Sequence, residues 1–440
     1  MTTFSTATDE LLEVVAKAIR ENRFPFQGLA VIRDLKGVLR VVLHANASSS
    51  SASTEIERLA EDLEDLGKWF SAPILCDKGH GEKLGEAKIA ELLWKKATAW
   101  NVQPPLIGVE CRKLERRLSK GAWDATEVAR LPWPLLGANP PIVAFFSFKG
   151  GVGRTTALAG VAALLANEGH RVAVIDLDLE APGLGPFLDV STTRGVVDVL
   201  VDHAVTGRAD TTGGFAPIAA LPKALSDDGA GRIQVLPAGD DLNDDYLEKL
   251  GRLDFHQTTF APEESPVRAA LESMLKVIKT KFDFILLDAR AGFHDLGGLA
   301  LQGLAHIDVM VARPSAQTKP GLRLALTHLN KVRGDDMQVI VAHAQAPSDP
   351  DAAEHSDFQA MVYGLFDSVV YVDWDNAPAL TDTGAMHEVV PIAHDKDLVY
   401  LKNAHLMPLQ PFEGLKKRIE ERVRIMRDTA KTRNSGGGTA

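Results

Sequence analysis

FSFKGGVGRTTALAG, residues 146–160, follows the apolar run that opens at Ile142 and leads into the helix-forming stretch AGVAALLANEG. A phosphate-binding loop needs small residues, so that successive backbone N–H groups can turn inward on an anion, and a helix N-terminus behind it to supply positive potential. Gly150, Gly151 and Gly153 meet the first need, and a helix starting near Arg154 meets the second. Thr155 stands where a hydroxyl ligates Mg2+ in G-x-x-x-x-G-K-[ST]. Two positions depart from that pattern: Phe148 takes the place of the first glycine and Arg154 that of the lysine.

Outward from the loop, IVAFFSF, RVAVIDLD, RIQVLPAG, DFILLDA, IDVMVARP and MQVIVAHA are short apolar runs separated by helix-length stretches. Runs of this kind suit strands buried on both faces, and their alternation with helices implies right-handed crossovers and a parallel sheet. The expected fold is α/β, a doubly wound, mostly parallel P-loop NTPase domain preceded by a smaller α/β (α+β) domain.

Read as K-G-G-x-G-[KR]-T-T, the loop resembles the deviant Walker A motif of the ParA/MinD ATPases, and its spelling KGGVGRTT is similar to a variant subgroup found in prokaryotic conflict and defence operons. VAVIDLDLEAPGLG, 172–185, is similar to the family's switch I, FDFILLDARAG, 282–292, to its Walker B strand and switch II, and RIQVLPAGD to its strand-Pro-Ala-Gly segment. The resemblance implies ATP and Mg2+ as cofactors. Gly150, Gly151, Val152, Gly153, Arg154, Thr155 and Thr156 would hold the phosphates, and Thr155, Asp176 and Asp288 would serve the metal. Asp178 would place the attacking water, and Lys149 would reach the phosphates of the partner subunit in a nucleotide-sandwich homodimer. A buried strand-end Asp can also be purely structural, Arg290 reads either as a surface ion-pair residue or as a phosphate-sensing switch residue, and His343 either as a satisfied loop histidine or as a base reader. Adenine over guanine follows from the resemblance alone.

The remaining chain supplies the boundaries. LPWPLLGANPP, 131–141, is too rich in Pro and Gly to continue a helix and marks the expected domain border. The expected organisation is 1–137, a sensor or effector-like domain; 138–410, the ATPase; and 411–440, a basic helix and flexible tail. GLAVI and VLRVVLHA read as a hairpin about Lys36-Gly37, CRKLERRLSK (111–120) as a basic stripe on a helix, and DSVVYVDW as a further strand. His44, His80, Cys76 and Cys111 form no metal or catalytic constellation.

The 440 residues hold 48 Lys+Arg and 59 Asp+Glu, a net charge of −11. Residues 1–137 net zero, 138–410 net −15 and 411–440 net +4. An acidic ATPase core repels nucleic-acid phosphate, which disfavours a partition mechanism on DNA and favours a partner protein encoded nearby. The last helix invites comparison with a membrane-targeting tail, but Leu415, Ile419 and Met426 make a thin stripe, so packing against the core or a partner helix is expected instead. With two cysteines, no leader and no apolar run of spanning length, the expected location is cytoplasmic. The expected function is a slow, dimerisation-dependent ATPase switch in a defence module; the alternatives are a cargo-positioning or partition ATPase and a nucleotide-binding scaffold without turnover. A tyrosine kinase is disfavoured by the four tyrosines, none in the tail, and hydride chemistry by the lack of G-x-G-x-x-G.

Overall fold

The computed structural model describes residues 2–45, 50–77, 84–116, 121–123, 130–218, 233–239, 245–253, 265–349, 352–372, 374–399, 401, 404 and 407–436. His80, Arg117, Lys120 and the last four tail residues lie outside them. The chain forms two compact units, Met1–Leu118 and Ser119–Ala440.

In the first unit, β1 (Gly28–Arg33) and β2 (Leu39–His44) pair antiparallel around Gly37, whose φ of 90° suits glycine, so the expected hairpin is present. With β3 (Leu75–Cys76), β4 (Thr98–Ala99) and β5 (Glu110–Glu115) they build a five-stranded sheet in the order β3-β2-β1-β5-β4. Helix α1 (Ala7–Arg20) is amphipathic and buries Leu11, Val15 and Ala18. Residues 111–115 of the segment expected to be a basic helix belong instead to β5. It runs parallel to β1 with Leu29 opposite Cys111, and that pairing overrides the helical spacing of its charges. Arg112 lies over the Trp94 ring and Lys113 over that of Trp100. His44 stacks on Trp94 and bonds Asp77, a structural environment, as expected for it.

The second unit is an eight-stranded sheet: β6 (Ile142–Phe146), β7 (Val172–Leu177), β8 (Ala216–Pro217), β9 (Ile233–Leu236), β10 (Phe284–Ala289), β11 (Ile307–Ala312), β12 (Val339–Ala346) and β13 (Val389–Ala393). Their order is β13-β12-β11-β6-β10-β7-β9-β8, parallel except for β8 against β9. All six expected strands are present. Successive residues of β6 serve opposite faces: Ile142, Ala144 and Phe146 enter one apolar cluster, Val143 and Phe145 the other. This is the doubly wound, mostly parallel α/β fold. The chain leaves β6 for β7 on one side and returns past it from β10 to β11 on the other, so the carboxyl end of β6 opens on a topological switch point.

The compact units divide at residue 118, whereas the expected border lies at 137; residues 121–123 and 130–137 pack into the second unit. The Trp123 indole donates to His294 O at 2.7 Å and its ring meets Phe146, while Trp133 donates to Pro140 O at 2.8 Å. DSVVYVDW is not a strand: helix Ala353–Val369 runs into it, and Val370 and Tyr371 are buried in the core. As expected, the C-terminal helix Glu413–Gly436 packs within the second unit. Its stripe of Leu415, Ile419 and Val423 is buried in the same cluster as helix α4 (Arg154–Asn167), with Met426 packed against it. Among the described residues no helix is long and apolar enough to cross a membrane.

Candidate nucleotide-binding site

Strand β6 delivers the chain to the crevice, where the buried Ser147 carbonyl accepts the Gly292 N–H at 2.9 Å. Phe148, in place of the usual glycine, packs on Phe293, and a Cβ at Gly321 would come within 2.3 Å of its ring. Gly151 and Gly153 have φ of 72° and 90°, where a side chain would be strained. No atom lies within 4 Å of a Cβ built at Gly150, Gly151 or Gly153, so the wall of the loop is open. Val152 turns into the apolar core and anchors it. Gly153 caps α4 without a side chain, which leaves the first-turn N–H groups available to an anion.

At the mouth of this loop the structure brings together Arg154, Thr155, Asp176, Asp178 and Asp288. Asp176 and Asp288 end neighbouring strands and are opposite each other in the β7–β10 register. Asp288 accepts Arg154 Nε at 2.6 Å on Oδ1 and Thr155 Oγ1 at 2.7 Å on Oδ2. Asp178 Oδ2 accepts Arg154 Nη2 at 3.3 Å. Burial works against the charge of Arg154, but Asp288 and Asp178 outweigh it and raise its pKa. Asp176 accepts the backbone N–H groups of Asp178 at 2.9 Å and Leu184 at 3.2 Å, which ties down the start of the 178–184 loop. Its own burial, with Asp288 beside it, pushes its pKa up to about 7. Thr156 is half-buried on the first turn and Lys149 is exposed on the loop.

Sequence reasoning overlooked a second set of contacts. Glu180 accepts His294 Nε2 at 2.6 Å and pairs with Arg290 Nη1, joining the loop after β7 to the loop after β10. Arg290 Nε lies 3.9 Å from Asp178 Oδ1, a buried oxygen with no hydrogen-bond partner among the described residues. Tyr246 donates to Leu179 O at 2.6 Å and holds the first of these loops from behind. Nothing in local spacing announces partners more than 60 residues apart. His343 is fully buried on β12, its Nδ1 3.1 Å from that of His355, and burial lowers its pKa to about 4.

The donor set suits a hard cation: one hydroxyl and clustered carboxylates, including the orphaned Asp178 Oδ1, beside an open glycine cradle. The arrangement has the form of a P-loop at the carboxyl edge of a parallel sheet. Residues 143–346 match the family model of the CobQ/CobB/MinD/ParA nucleotide binding domain, and this chain carries a nucleotide-binding domain of the ParA/MinD type.

Protein virC1 of Rhizobium radiobacter is similar, 56% identical over 41 residues that make up 9% of this chain and 18% of that protein. The septum site-determining protein MinD of Synechocystis sp. is 26% identical over 153 residues, 34% of this chain and 45% of that protein. The chain thus spans less than half the length of these curated relatives. The structure of MinD complexed with Mg-ADP from Pyrococcus horikoshii is similar at 17% identity and a TM-score of 0.41, covering 68% of this chain and 100% of that one.

Proposed function

We propose that this protein is an ATP-binding, slowly hydrolysing molecular switch that acts as a nucleotide-sandwich homodimer and regulates a protein partner in a cytoplasmic defence or conflict system. The convergence of Thr155, Asp178 and Asp288 at the mouth of the glycine loop is the observation that carries this reading. Phosphoryl transfer asks a protein chiefly for positioning and charge neutralisation. The loop N–H groups from Gly150 to Thr156 hold the phosphates in this reading. Thr155 and Asp288 would hold Mg2+ with Asp176 behind them, and the ion would supply charge neutralisation of the phosphates. Asp178 orients the water, and the exposed Lys149 reaches across to the partner subunit.

The acidic core, net −15 over residues 138–410, supports a protein-partnered switch over a partition ATPase that coats DNA. A scaffold without turnover draws support from Arg154, whose guanidinium is occupied by the carboxylates and is not interchangeable with lysine. Sedimentation with and without Mg-ATP, together with a multiple-turnover phosphate assay, tests the reading. Wild type should dimerise with ATP and turn over, Lys149→Ala should stay monomeric, and Asp178→Asn should bind ATP but lose about 100-fold in rate. An unchanged Lys149→Ala would sink the sandwich dimer, and zero turnover by wild type would leave the scaffold.

A further inference from the structure

Arg154 engages two groups that the nucleotide reading assigns to the metal, Thr155 and Asp288, and the one it assigns to the water, Asp178. Its Nε donates to Asp288 Oδ1 at 2.6 Å, and its Nη2 lies 3.3 Å from Asp178 Oδ2 and 3.5 Å from Thr155 Oγ1. Among the described residues it is the only cation paired with Asp288. Asp288 is 1% exposed, Asp178 and Arg154 each 9%. Two buried carboxylates with no counter-charge would be strongly destabilising, and the guanidinium is the cation that bridges them. A lysine ammonium is a single point charge; the planar guanidinium presents donors on two edges and so bridges both carboxylates while reaching the hydroxyl.

We propose that Arg154 is the built-in cation of the metal subsite: in the nucleotide-free chain its guanidinium fills the place among Thr155, Asp178 and Asp288, and a divalent ion enters only with nucleotide, as Arg154 leaves. The proposal rests on the nucleotide-binding reading above. It gives the lysine-to-arginine change a role. The guanidinium that closes the subsite becomes, once displaced, a free cation at the mouth of the phosphate loop, so metal entry and phosphate binding are one exchange. Asp178 Oδ1, 3.9 Å from Arg290 Nε and otherwise unpartnered among the described residues, is the oxygen left available when the exchange begins.

Mn2+ alone, followed by the electron paramagnetic resonance of the free ion, is the probe, with ATP binding measured separately on the same samples. Nucleotide-free wild type should take up no Mn2+ up to the millimolar range, and with ATP should take up more Mn2+ than the same ATP chelates in a protein-free control. Arg154→Gln without nucleotide should bind Mn2+ at least about tenfold more tightly than wild type, and adding Asp288→Asn should remove the gain. Mn2+ bound tightly by the nucleotide-free wild type, or no gain in Arg154→Gln, overturns the proposal. Should Arg154→Gln not fold, the wild-type measurement decides by itself. Loss of ATP binding by wild type would overturn the nucleotide reading, whereas normal ATP binding with Mn2+ already bound to the nucleotide-free protein would overturn only the role of Arg154.

Discussion

Gly160 and Phe412 fit each other as socket and plug: a Cβ built at Gly160 would lie 2.2 Å from the phenyl ring, which is itself 1% exposed. The turn that leads into the C-terminal helix therefore docks at a position where α4 carries no side chain. Gly160→Ala should destabilise the protein by about 1–3 kcal/mol despite the better helix propensity of alanine, because overpacking outweighs it. Phe412→Leu should restore part of that loss in the double variant. Urea unfolding of the four proteins checks this, and strict additivity would contradict the contact.

Glu180 is the hinge pin between two loops. With its side chain 42% exposed, its pairs with Arg290 and His294 contribute less than about 1 kcal/mol to global stability. Glu180→Ala should leave the unfolding midpoint nearly unchanged while speeding amide exchange in the 178–184 and 290–294 segments. Equal exchange in both proteins would show that the latch holds nothing.

His306 makes folding stability depend on pH. The Ile142 N–H donates to its Nδ1 at 3.0 Å and its Nε2 faces the Trp133 carbonyl at 2.8 Å, so the neutral ring fits and a proton on Nδ1 would face another N–H. Burial lowers its pKa to about 4. A histidine held neutral stabilises the fold above its unfolded pKa of about 6.5 and loses that contribution as pH falls toward 4, roughly 3 kcal/mol over the window. Urea titrations of wild type and His306→Asn at pH 7 and 4.5 should show wild type losing more stability. Equal losses would remove His306 from the account.

The sheet of the second unit was legible because parallel strands buried on both faces must be continuous apolar runs, and IVAFF, VAVIDL, FILLDA and IDVMVA are such runs. The glycine loop and the three aspartates were legible because backbone approach and strand ends restrict residue choice. Strand β5 misled because Arg112, Lys113 and Arg116 have a helical spacing, whereas pairing with β1 decides the conformation. Strand β13 was missed because it is a short edge strand with an exposed Pro391. The carboxylate grip of Arg154 and the Glu180 latch are side-chain meetings between distant segments, which no local pattern encodes.

In the proposed function the glycine loop with Thr155 and Asp288 forms a Mg-dependent nucleotide site. Calorimetric titration of ATP into purified protein, with and without Mg2+, tests it most directly. Wild type should bind about one ATP per chain with Mg2+, and Thr155→Ala and Asp288→Asn should each weaken that binding at least about tenfold while binding without Mg2+ changes little. Absence of ATP binding by folded wild-type protein, or binding indifferent to Mg2+ and to both substitutions, would contradict the account.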